Sequence, residues 1–349
     1  HGLPIENKVE KEIDVHSKQD IEKFGISNFN KKCKEFAATN KDKWISTYEK
    51  LGSWYSWKEP YLTYDNSYVQ SGWWTFKQLY EKKRVYEGSK PVFWCPSCET
   101  ALAGYEVTDS YKQLTDPSIF VKFKLKSEDA YFLVYTTTPW TLPSNVALVV
   151  HPEEDYVKAK TAKGNLILAK ERLPLLERLE IRYDILETKK GKELEGIEYE
   201  PILDVPQQQE ISTNEKTHKI YMSIPILKER GASKVAAKKG TAEIKDVFED
   251  FVNVTDGTGI VHCAPGHGKT DNELGKHYDL PERSPLDDKC LFTEEAGKYQ
   301  GLYVKKADKQ IIEDLENSGN MLHHEQTNHK YPVCWRCKHA LIFRLSTQL

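Results

Sequence analysis

The chain has 349 residues, which is room for two or three domains of ordinary size. Hydrophobic residues make up 39% of it and charged residues 30%, a composition typical of globular proteins and not of disordered ones. The formal net charge of -3 argues against a uniformly basic nucleic-acid coat. No apolar run is long enough for a transmembrane helix, and the first residues lack the basic and apolar parts of a signal peptide. We therefore expect a globular protein that is not embedded in a membrane.

Helical spacing dominates residues 1–90. Apolar side chains recur at helical intervals over residues 28–51, and a second amphipathic segment follows Asp65. Ser17 and Asp20 fit a variant of the helix capping box. Six of the eight Trp residues fall in or just after this part of the chain. We interpret this aromatic cluster as core packing, because aromatic side chains carry much of the buried area of a folded domain.

Short strand-like runs replace the helical pattern from about residue 116. They start at Ile119, Tyr131, Asn145, Asn165 and Ile181. We therefore predict a β-rich domain with few helices.

Two further segments of this part carry a distinct pattern. Ile311, Ile312 and Leu315, followed by Gly319, predict a helix that ends at a glycine. The stretch 228–239 carries five basic residues. Such a run is more often a solvated face than a binding site, although an RNA partner would favour binding.

Four of the seven cysteines form two CxxC pairs, Cys95 with Cys98 and Cys334 with Cys337. The size of the chain and its cysteine density are not those of a disulfide-stapled secreted domain. Each pair can place two sulfurs on one metal ion, and two pairs complete a tetrahedral zinc site. A redox-active CxxC is the alternative, but neither pair precedes a clear βαβ pattern. We predict one structural Zn²⁺ that clamps the two ends of a long insertion.

Three consecutive threonines, Thr136, Thr137 and Thr138, follow a hydrophobic strand. Threonine favours strands, so a simple edge strand is one interpretation. Pro139, however, removes a backbone donor and ends the ladder, so that the hydroxyls collect at a strand end. Hydroxyls that donate and accept without carrying charge suit a ribose or an ester carbonyl.

A glycine-rich segment, residues 256–271, contains His262 and, nine residues later, Asp271. Its GKT at 268–270 is no P-loop, because Cys263 stands where the first glycine belongs. Asp271 can bind an ammonium group or cap the helix that follows it. His262 can line a pocket or relay a proton, although a lone His is more often structural. Strand alternation would point Cys263 to the face opposite His262, which argues against a nucleophilic role.

Together these segments resemble the class I isoleucyl-tRNA synthetases of the branch found in archaea and the eukaryotic cytoplasm. Residues 1–6 are similar to the stretch after the first ATP-binding signature, and 94–102 to the entrance of an inserted connective peptide. Residues 136–145 and 256–271 resemble its two editing motifs. Residues 331–344 are similar to the exit of the connective peptide.

The first editing motif distinguishes the members of this group. Valine and leucine relatives typically read TTRP there, whereas here Thr138 precedes Pro139 and Trp140, which favours the isoleucine member. The second motif departs from the family, because Lys269 and Thr270 stand where relatives often carry acidic residues. The local charge beside Asp271 therefore differs from that of the relatives.

The fold implied by this resemblance is α+β. A β-rich, barrel-like editing domain is inserted in a zinc-bearing stem and is preceded by a helical segment of a class I Rossmann catalytic domain. The implied boundaries are 1–90 for the helical segment, 91–115 and 326–349 for the two halves of the stem, and 116–325 for the editing domain.

The two ATP-site signatures of the family, HIGH and KMSKS, do not occur in the sequence. We therefore expect a piece of a longer synthetase that does not aminoacylate by itself. By resemblance, the full protein would attach isoleucine to tRNA(Ile) with ATP and Mg²⁺, and it would be a cytoplasmic monomer. The implied partners of this piece are the 3′ end of tRNA(Ile), valine as the mischarged amino acid, and the remainder of the synthetase chain.

The resemblance also implies roles for the site residues in hydrolysis of Val-tRNA(Ile) by water. Thr136, Thr137 and Thr138 would contact the terminal adenosine and the aminoacyl ester. His262 would set the size limit for the amino-acid side chain, and Asp271 would pair with the α-ammonium. The implied substrate-binding residues around them are Trp140, Thr141, Asn145, Gly266 and His267.

Two other functions are left open by the residues. A zinc-clamped tRNA-docking module without chemistry would share the four cysteines but would not need the threonines together with Asp271. A free-standing aminoacyl-tRNA deacylase is the second alternative, although the start of the chain looks like part of a nucleotide-binding fold. A deacylation assay with Val-tRNA(Ile) and Ile-tRNA(Ile) distinguishes these possibilities.

Overall fold

The computed structural model describes residues 2–15, 18–57, 59–223 and 251–349. They form two compact units, of which the first ends at Glu87 and the second runs from Gly88 to Gln348. The proposed capping residue Ser17 and the basic stretch 228–239 lie outside the described residues. Within the described ranges, no helix is both long and apolar enough to cross a membrane.

The first unit is helical, as the apolar periodicity predicts. Helices α1 and α2 pack against α3, and Val9 and Phe29 are buried. Asp65, in extended backbone, directly precedes α4, which confirms the predicted start of that helix. The helices are α1 (Leu3–Glu12), α2 (Lys18–Phe24), α3 (Ile26–Lys50) and α4 (Asn66–Glu81).

The interpretation of the Trp cluster as core packing is wrong for most of its members. Trp44, Trp54, Trp73 and Trp74 are between 63% and 99% exposed, whereas Trp94 is buried. The physical reason is that Trp73 and Trp74 lie on α4, which buries none of its residues, and Trp44 lies on α3, which buries only Phe29. The described part of the chain therefore leaves the apolar faces of these helices largely uncovered. Helical spacing identifies a face that needs a partner, but it does not say where the partner is.

The second unit contains twelve described strands and five described α-helices. All five strand-like runs of the sequence correspond to strands. The strands are β1 (Gly88–Cys95), β2 (Thr100–Leu102), β3 (Tyr111–Lys124), β4 (Tyr131–Thr136), β5 (Ala147–Val150), β6 (Asp155–Thr161), β7 (Gly164–Ala169), β8 (Tyr183–Lys190), β9 (Ile220–Met222), β10 (Ile260–Cys263), β11 (Met321–Pro332) and β12 (Ile342–Gln348). The helices are α5 (Gly104–Val107), α6 (Leu173–Arg178), α7 (Pro206–Ile211), α8 (Lys269–Tyr278) and α9 (Val304–Asn317).

The described strands make three sheets. The largest has six strands in the order β11-β3-β4-β7-β6-β8, and it is antiparallel except for the parallel pair β4–β7. A second sheet has the order β10-β5-β9 and a third the order β12-β1-β2. Among the described strands these ladders do not close into a continuous barrel. The chain is thus a mixed α and β protein built on several sheets.

One apolar core joins the first two of these sheets. Phe123 of β3 and Phe132 of β4 are fully buried in the same cluster as Leu148 of β5 and Ile260 of β10. Helix α9 adds Ile311 from its apolar face. Burying a side chain of this size contributes roughly 1.5–3 kcal/mol. This core holds β5, β10 and α9 around the turn that follows β4.

Helix α9 confirms the prediction of a helix that ends near a glycine. Gly319 has a φ of +72°, and its N–H donates to the carbonyl of Glu316 at 3.0 Å. A left-handed residue in this position is a common way to end a helix, and glycine adopts it without steric cost.

The long pair β3–β11 runs along one edge of the six-stranded sheet. Its register extends from Tyr111 paired with Pro332 to Val121 paired with Met321. Both strands are continuous through residues 116 and 326, where the sequence suggested a change from stem to inserted domain. That division remains a prediction.

Candidate functional site

The threonine segment lies where β4 leaves its sheet. The β3–β4 ladder has its last pair at Thr136, and a 3-10 turn, Pro139–Ser144, begins three residues later. The backbone N–H of Thr138 donates to the Thr136 hydroxyl at 3.1 Å. The ladder therefore ends before Pro139, as its missing donor predicts.

Hydroxyl groups collect at this strand end. The Thr138 hydroxyl lies 3.2 Å from the Thr136 hydroxyl and 3.3 Å from the Thr141 hydroxyl. Thr136 and Thr141 are buried, whereas Thr137 and Thr138 are partly exposed. The result is a short row of neutral donors and acceptors that reaches the surface at its middle member, Thr138.

His262 continues this row from the neighbouring strand. It lies on β10 opposite Leu148 of β5. Its Nδ1 is 2.8 Å from the Asn145 side-chain amide nitrogen, and its Nε2 is 3.0 Å from the Thr141 hydroxyl. Because an amide nitrogen only donates, Nδ1 is the acceptor, and the network assigns the ring proton to Nε2.

Burial keeps this histidine neutral. Burial, together with the nearby His267, lowers the pKa of His262 to about 3. Asn145 is fully buried, and its oxygen accepts from the Tyr199 hydroxyl at 2.8 Å. Thr141, Asn145 and His262 are therefore joined in one buried network with Tyr199.

Cys263 points away from this network. It is fully buried in an apolar cluster with Val149 and Leu274, and burial holds its thiol pKa well above the usual range. The predicted orientation of Cys263 on the opposite face of β10 is confirmed. A neutral thiol in apolar surroundings is a poor nucleophile.

His267 fills a second buried position beside the 3-10 turn. Its Nδ1 donates to the carbonyl of Phe343 at 3.1 Å, so its Nε2 accepts from the Ser144 hydroxyl, also at 3.1 Å. Its ring packs edge-on against Trp140 with centroids 5.0 Å apart, and burial lowers its pKa to about 4. At Gly266, a Cβ atom would lie 1.9 Å from the carbonyl oxygen of Arg283. Only glycine fits there.

Asp271 is the third residue of α8 and not its cap. Gly268 occupies the capping position, so the interpretation of Asp271 as an N-cap is wrong. The side chain folds back over Gly268, where a Cβ would lie 2.6 Å from the Asp271 Cγ, and it accepts from the N–H of Ala264 at 2.9 Å. Only a glycine at 268 leaves room for this conformation.

The electrostatic setting of Asp271 is unusual for a carboxylate. Burial raises its pKa to about 6, against the opposing effect of the hydrogen bond from Ala264. No ion pair to it is found within the described ranges. No hydrogen bond in the described part of the chain joins Asp271 to the threonines or to His262. Asp271 is therefore not a member of the buried hydrogen-bond network.

Asp308 is a buried residue of this region that the sequence reasoning missed. One of its carboxylate oxygens accepts from the backbone N–H of Trp140 at 2.9 Å. The sequence contained a signal for it, namely one acidic residue on an otherwise apolar helical face. That face consists of Val304, Asp308, Ile311 and Leu315.

The four cysteines of the two CxxC pairs meet in space. Their Sγ atoms all lie within 4.8 Å of one another, and Cys95 and Cys337 are 3.4 Å apart. A tetrahedral site with Zn–S bonds of about 2.3 Å needs sulfurs about 3.8 Å apart. The prediction that these residues come together is confirmed, and the donor set fits a metal such as zinc.

Glu106 of α5 braces this four-cysteine cluster. Its carboxylate accepts from the Trp335 indole N–H at 3.1 Å and from the Arg336 guanidinium at 3.0 Å. Trp335 and Arg336 are the two residues between Cys334 and Cys337, so this one carboxylate holds both residues that separate the cysteines of the second pair.

Comparison with known proteins gives matches over the whole chain. A sequence model of the family "tRNA synthetases class I (I, L, M and V)" matches residues 1–347. The isoleucine–tRNA ligases of Pyrococcus horikoshii and Sulfolobus acidocaldarius are 43% and 40% identical to the chain, over all of it and over 31% of each relative. The chain thus spans about a third of the length of these relatives.

Solved structures of similar shape were also found. The editing domain of P. knowlesi cytosolic leucyl-tRNA synthetase has a TM-score of 0.40 and 11% identity, over 63% of this chain and 99% of that one. The corresponding P. falciparum domain has a TM-score of 0.40 and 11% identity, over 60% and 99%.

Proposed function

Because this chain belongs to the class I tRNA synthetases of the I, L, M and V group, we propose that its second unit hydrolyses mischarged tRNA. The isoleucine–tRNA ligases among its relatives support a mischarged tRNA(Ile) as the proposed substrate. The substrate is Val-tRNA(Ile), and the reaction is attack of water on the aminoacyl ester.

The need for such a reaction follows from the small difference between the two amino acids. Isoleucine exceeds valine by one methylene, which a hydrophobic pocket converts into about 1–3 kcal/mol, a range for which this enzyme family is itself the usual example. A second pocket that admits valine, excludes isoleucine and hydrolyses the ester raises the accuracy. That pocket must also recognise a free α-ammonium group and the terminal adenosine of the tRNA.

The observation that carries the proposal is the state of Asp271. It is a half-buried carboxylate nine residues beyond His262, and the described part of the chain supplies no ion-pair partner for it. A pKa of about 6 leaves it mostly ionised at neutral pH. An α-ammonium would give it the missing charge-assisted hydrogen bond.

The hydroxyl row supplies the rest of the pocket. Thr137 and Thr138, which are partly exposed, contact the ester and the terminal adenosine. The buried Thr136 hydroxyl holds the Thr138 hydroxyl by a hydrogen bond. The buried Thr141 and Asn145 act by holding His262. Trp140, Gly266 and His267 form the wall behind the row, as the ring contact between Trp140 and His267 supports.

His262 acts as a neutral wall of the pocket and not as a proton relay. Both of its ring nitrogens have hydrogen-bond partners, and a pKa of about 3 keeps it uncharged near neutral pH. It therefore limits the size of the amino-acid side chain by its position. The attacking water is held by the threonine hydroxyls and by the ribose of the substrate.

The four-cysteine cluster is a structural zinc site in this proposal. Zn²⁺ bound by Cys95, Cys98, Cys334 and Cys337 would cross-link β1 to the segment between β11 and β12. The exposed aromatic face of α4 packs against the remainder of the synthetase chain. That remainder binds ATP and Mg²⁺ and attaches isoleucine to the tRNA. The partner of the second unit is the 3′ end of tRNA(Ile).

The test compares Asp271→Asn with Asp271→Ala in the intact synthetase that carries this sequence. Asn keeps an oxygen for the Ala264 N–H but has no charge. If the ammonium contact contributes about 1.5–3 kcal/mol, as hydrogen bonds to charged groups do, both variants should lose roughly 10- to 150-fold in hydrolysis of Val-tRNA(Ile). Asp279→Asn, at the exposed end of the same helix, is the matched control.

A second substrate separates the roles. N-acetyl-Val-tRNA(Ile) lacks the ammonium, so the wild type should hydrolyse it as slowly as Asp271→Asn hydrolyses Val-tRNA(Ile). Wild-type rates in Asp271→Asn would refute the ammonium role. Absence of Val-tRNA(Ile) hydrolysis by the wild-type protein would favour the non-catalytic docking module instead.

A further inference from the structure

The 3-10 turn that carries the threonine segment starts without a cap of its own. Pro139 has no N–H to offer, and the Thr138 side chain makes no capping hydrogen bond to a backbone N–H of the turn. Its hydroxyl faces the hydroxyls of Thr136 and Thr141 instead. The N–H of Trp140 is therefore the first backbone donor of the turn without a local acceptor.

Helix α9 supplies the missing acceptor from 168 residues away. Asp308 is only 4% exposed, and its Oδ1 lies 2.9 Å from the Trp140 nitrogen. Apolar residues flank it on the same helical face, including Ile311 and Leu315. Burying a carboxylate in such a place is unfavourable unless it is hydrogen-bonded, so packing alone does not explain an acid here.

The neighbouring charges do not explain it either. Lys305, one turn earlier on α9, is paired with Asp116 of β3 at 2.6 Å. The same Asp116 oxygen is 2.9 Å from His329 Nε2 on β11. These three groups form their own cluster, and within the described residues the hydrogen bond of Asp308 is the one to Trp140.

We propose that Asp308 is a positioning residue for the editing reaction, an inference that rests on the proposed function. By accepting from Trp140 it frees the Thr138 hydroxyl to join Thr136 and Thr141. Thr141 in turn contacts His262. Without an acceptor at position 308, the Thr138 hydroxyl is the nearest group able to cap the turn, and capping would pull it out of the row.

The test uses Asp308→Asn and Asp308→Leu in the intact synthetase. Asn keeps the acceptor oxygen, so its Val-tRNA(Ile) hydrolysis should stay within about 3-fold of wild type. Leu suits an apolar helix face but leaves the Trp140 N–H unpaired. A buried unpaired donor typically costs about 1–3 kcal/mol, so a fall of roughly 5- to 150-fold is expected. Isoleucine aminoacylation should be unchanged in both variants.

A control variant and a local measurement separate positioning from a general loss of fold. Asp314→Leu removes another partly buried acid of α9, which binds Tyr299 and Lys298 and not the turn, and it should hydrolyse normally. Hydrogen exchange followed by mass spectrometry should show lost protection in residues 139–144 for Asp308→Leu and retained protection for Asp308→Asn.

Three results would overturn the inference: normal hydrolysis by Asp308→Leu, equal impairment of Asn and Leu, or unchanged exchange in the turn. Failure of the wild type to hydrolyse Val-tRNA(Ile) would refute the proposed function instead. The exchange measurement would then still report whether Asp308 holds the turn, so the two failures are distinguishable.

Discussion

Asn145 is the residue whose replacement should damage the candidate site most directly. It is fully buried, and its side chain makes three hydrogen bonds. The amide nitrogen donates to His262 Nδ1 and to the carbonyl of Ala147, and the oxygen accepts from the Tyr199 hydroxyl. Asn145→Ala removes all three at once.

The expected magnitude follows from the groups left behind. A buried donor or acceptor without a partner typically costs about 1–3 kcal/mol, but such costs are not additive where a side chain can shift. Tyr199 is held edge-on against Phe123 at 5.4 Å between ring centroids, so its hydroxyl has little freedom to find another acceptor. We therefore expect Asn145→Ala to lower the free energy of unfolding by about 2–4 kcal/mol, a large part of the roughly 5–15 kcal/mol of an ordinary domain.

The measurement is urea unfolding of this chain, followed by circular dichroism with metal present throughout. Asn165→Ala is the matched control, because that side chain makes a single exposed hydrogen bond, to the carbonyl of Asp129 at 2.9 Å. It should change stability by no more than about 0.5 kcal/mol. If Asn145→Ala were no more destabilised than Asn165→Ala, the buried network would not have the energetic role assigned to it.

Two further predictions concern the metal and pH. Carefully purified protein should contain about one zinc per chain by elemental analysis, and joint replacement of Cys95 and Cys334 by Ser should remove it while the strands β3 to β7 stay protected from hydrogen exchange. Retention of zinc in that variant would contradict the assignment. For Asp308, burial raises the pKa to about 7, from about 3.9 in an unfolded chain, so between these values only the native state holds the proton. The contribution of this proton to the free energy of unfolding is complete below about pH 4. It is lost as pH rises through about 7, at no more than about 1.4 kcal/mol per pH unit. Urea unfolding should show this fall in wild type and not in Asp308→Asn, and the neighbouring Lys305 and Asp116 are present in both proteins. Parallel pH profiles of the free energy of unfolding would contradict the prediction.

The four-cysteine cluster could be predicted from the sequence because its chemistry is local. Each CxxC places two sulfurs on one turn, and zinc requires four ligands, so two pairs predict each other across more than two hundred residues. The strands could be predicted for a similar reason, since alternation and β-branched residues act within a few positions. Neither prediction required knowledge of which strands are neighbours.

The position of Asp271 shows where local reasoning is insufficient. The sequence allowed it to cap a helix or to bind a cation, and the first choice assumed that the helix begins after it. The helix begins three residues earlier than that, at Lys269, with Gly268 in the capping position. Because Gly268 has no Cβ, the Asp271 carboxylate has room to fold back to Ala264. A shift of about three residues lies within the ordinary error of helix ends predicted from sequence, yet it decides whether this acid caps the helix.

His262 shows a different limit, because the choice between proton relay and pocket wall depends on burial and on partners from other segments. The sequence names the residue but not Asn145 as the donor to Nδ1, since that contact exists only through the pairing of β10 with β5. Once the pairing is known, the chemistry follows. A ring whose acceptor nitrogen is already occupied and whose pKa is about 3 would need several pH units of perturbation to take a proton near neutrality. In the proposed hydrolysis, His262 would then take no proton, and the hydroxyl row together with the substrate's own ribose would supply groups that do not change charge.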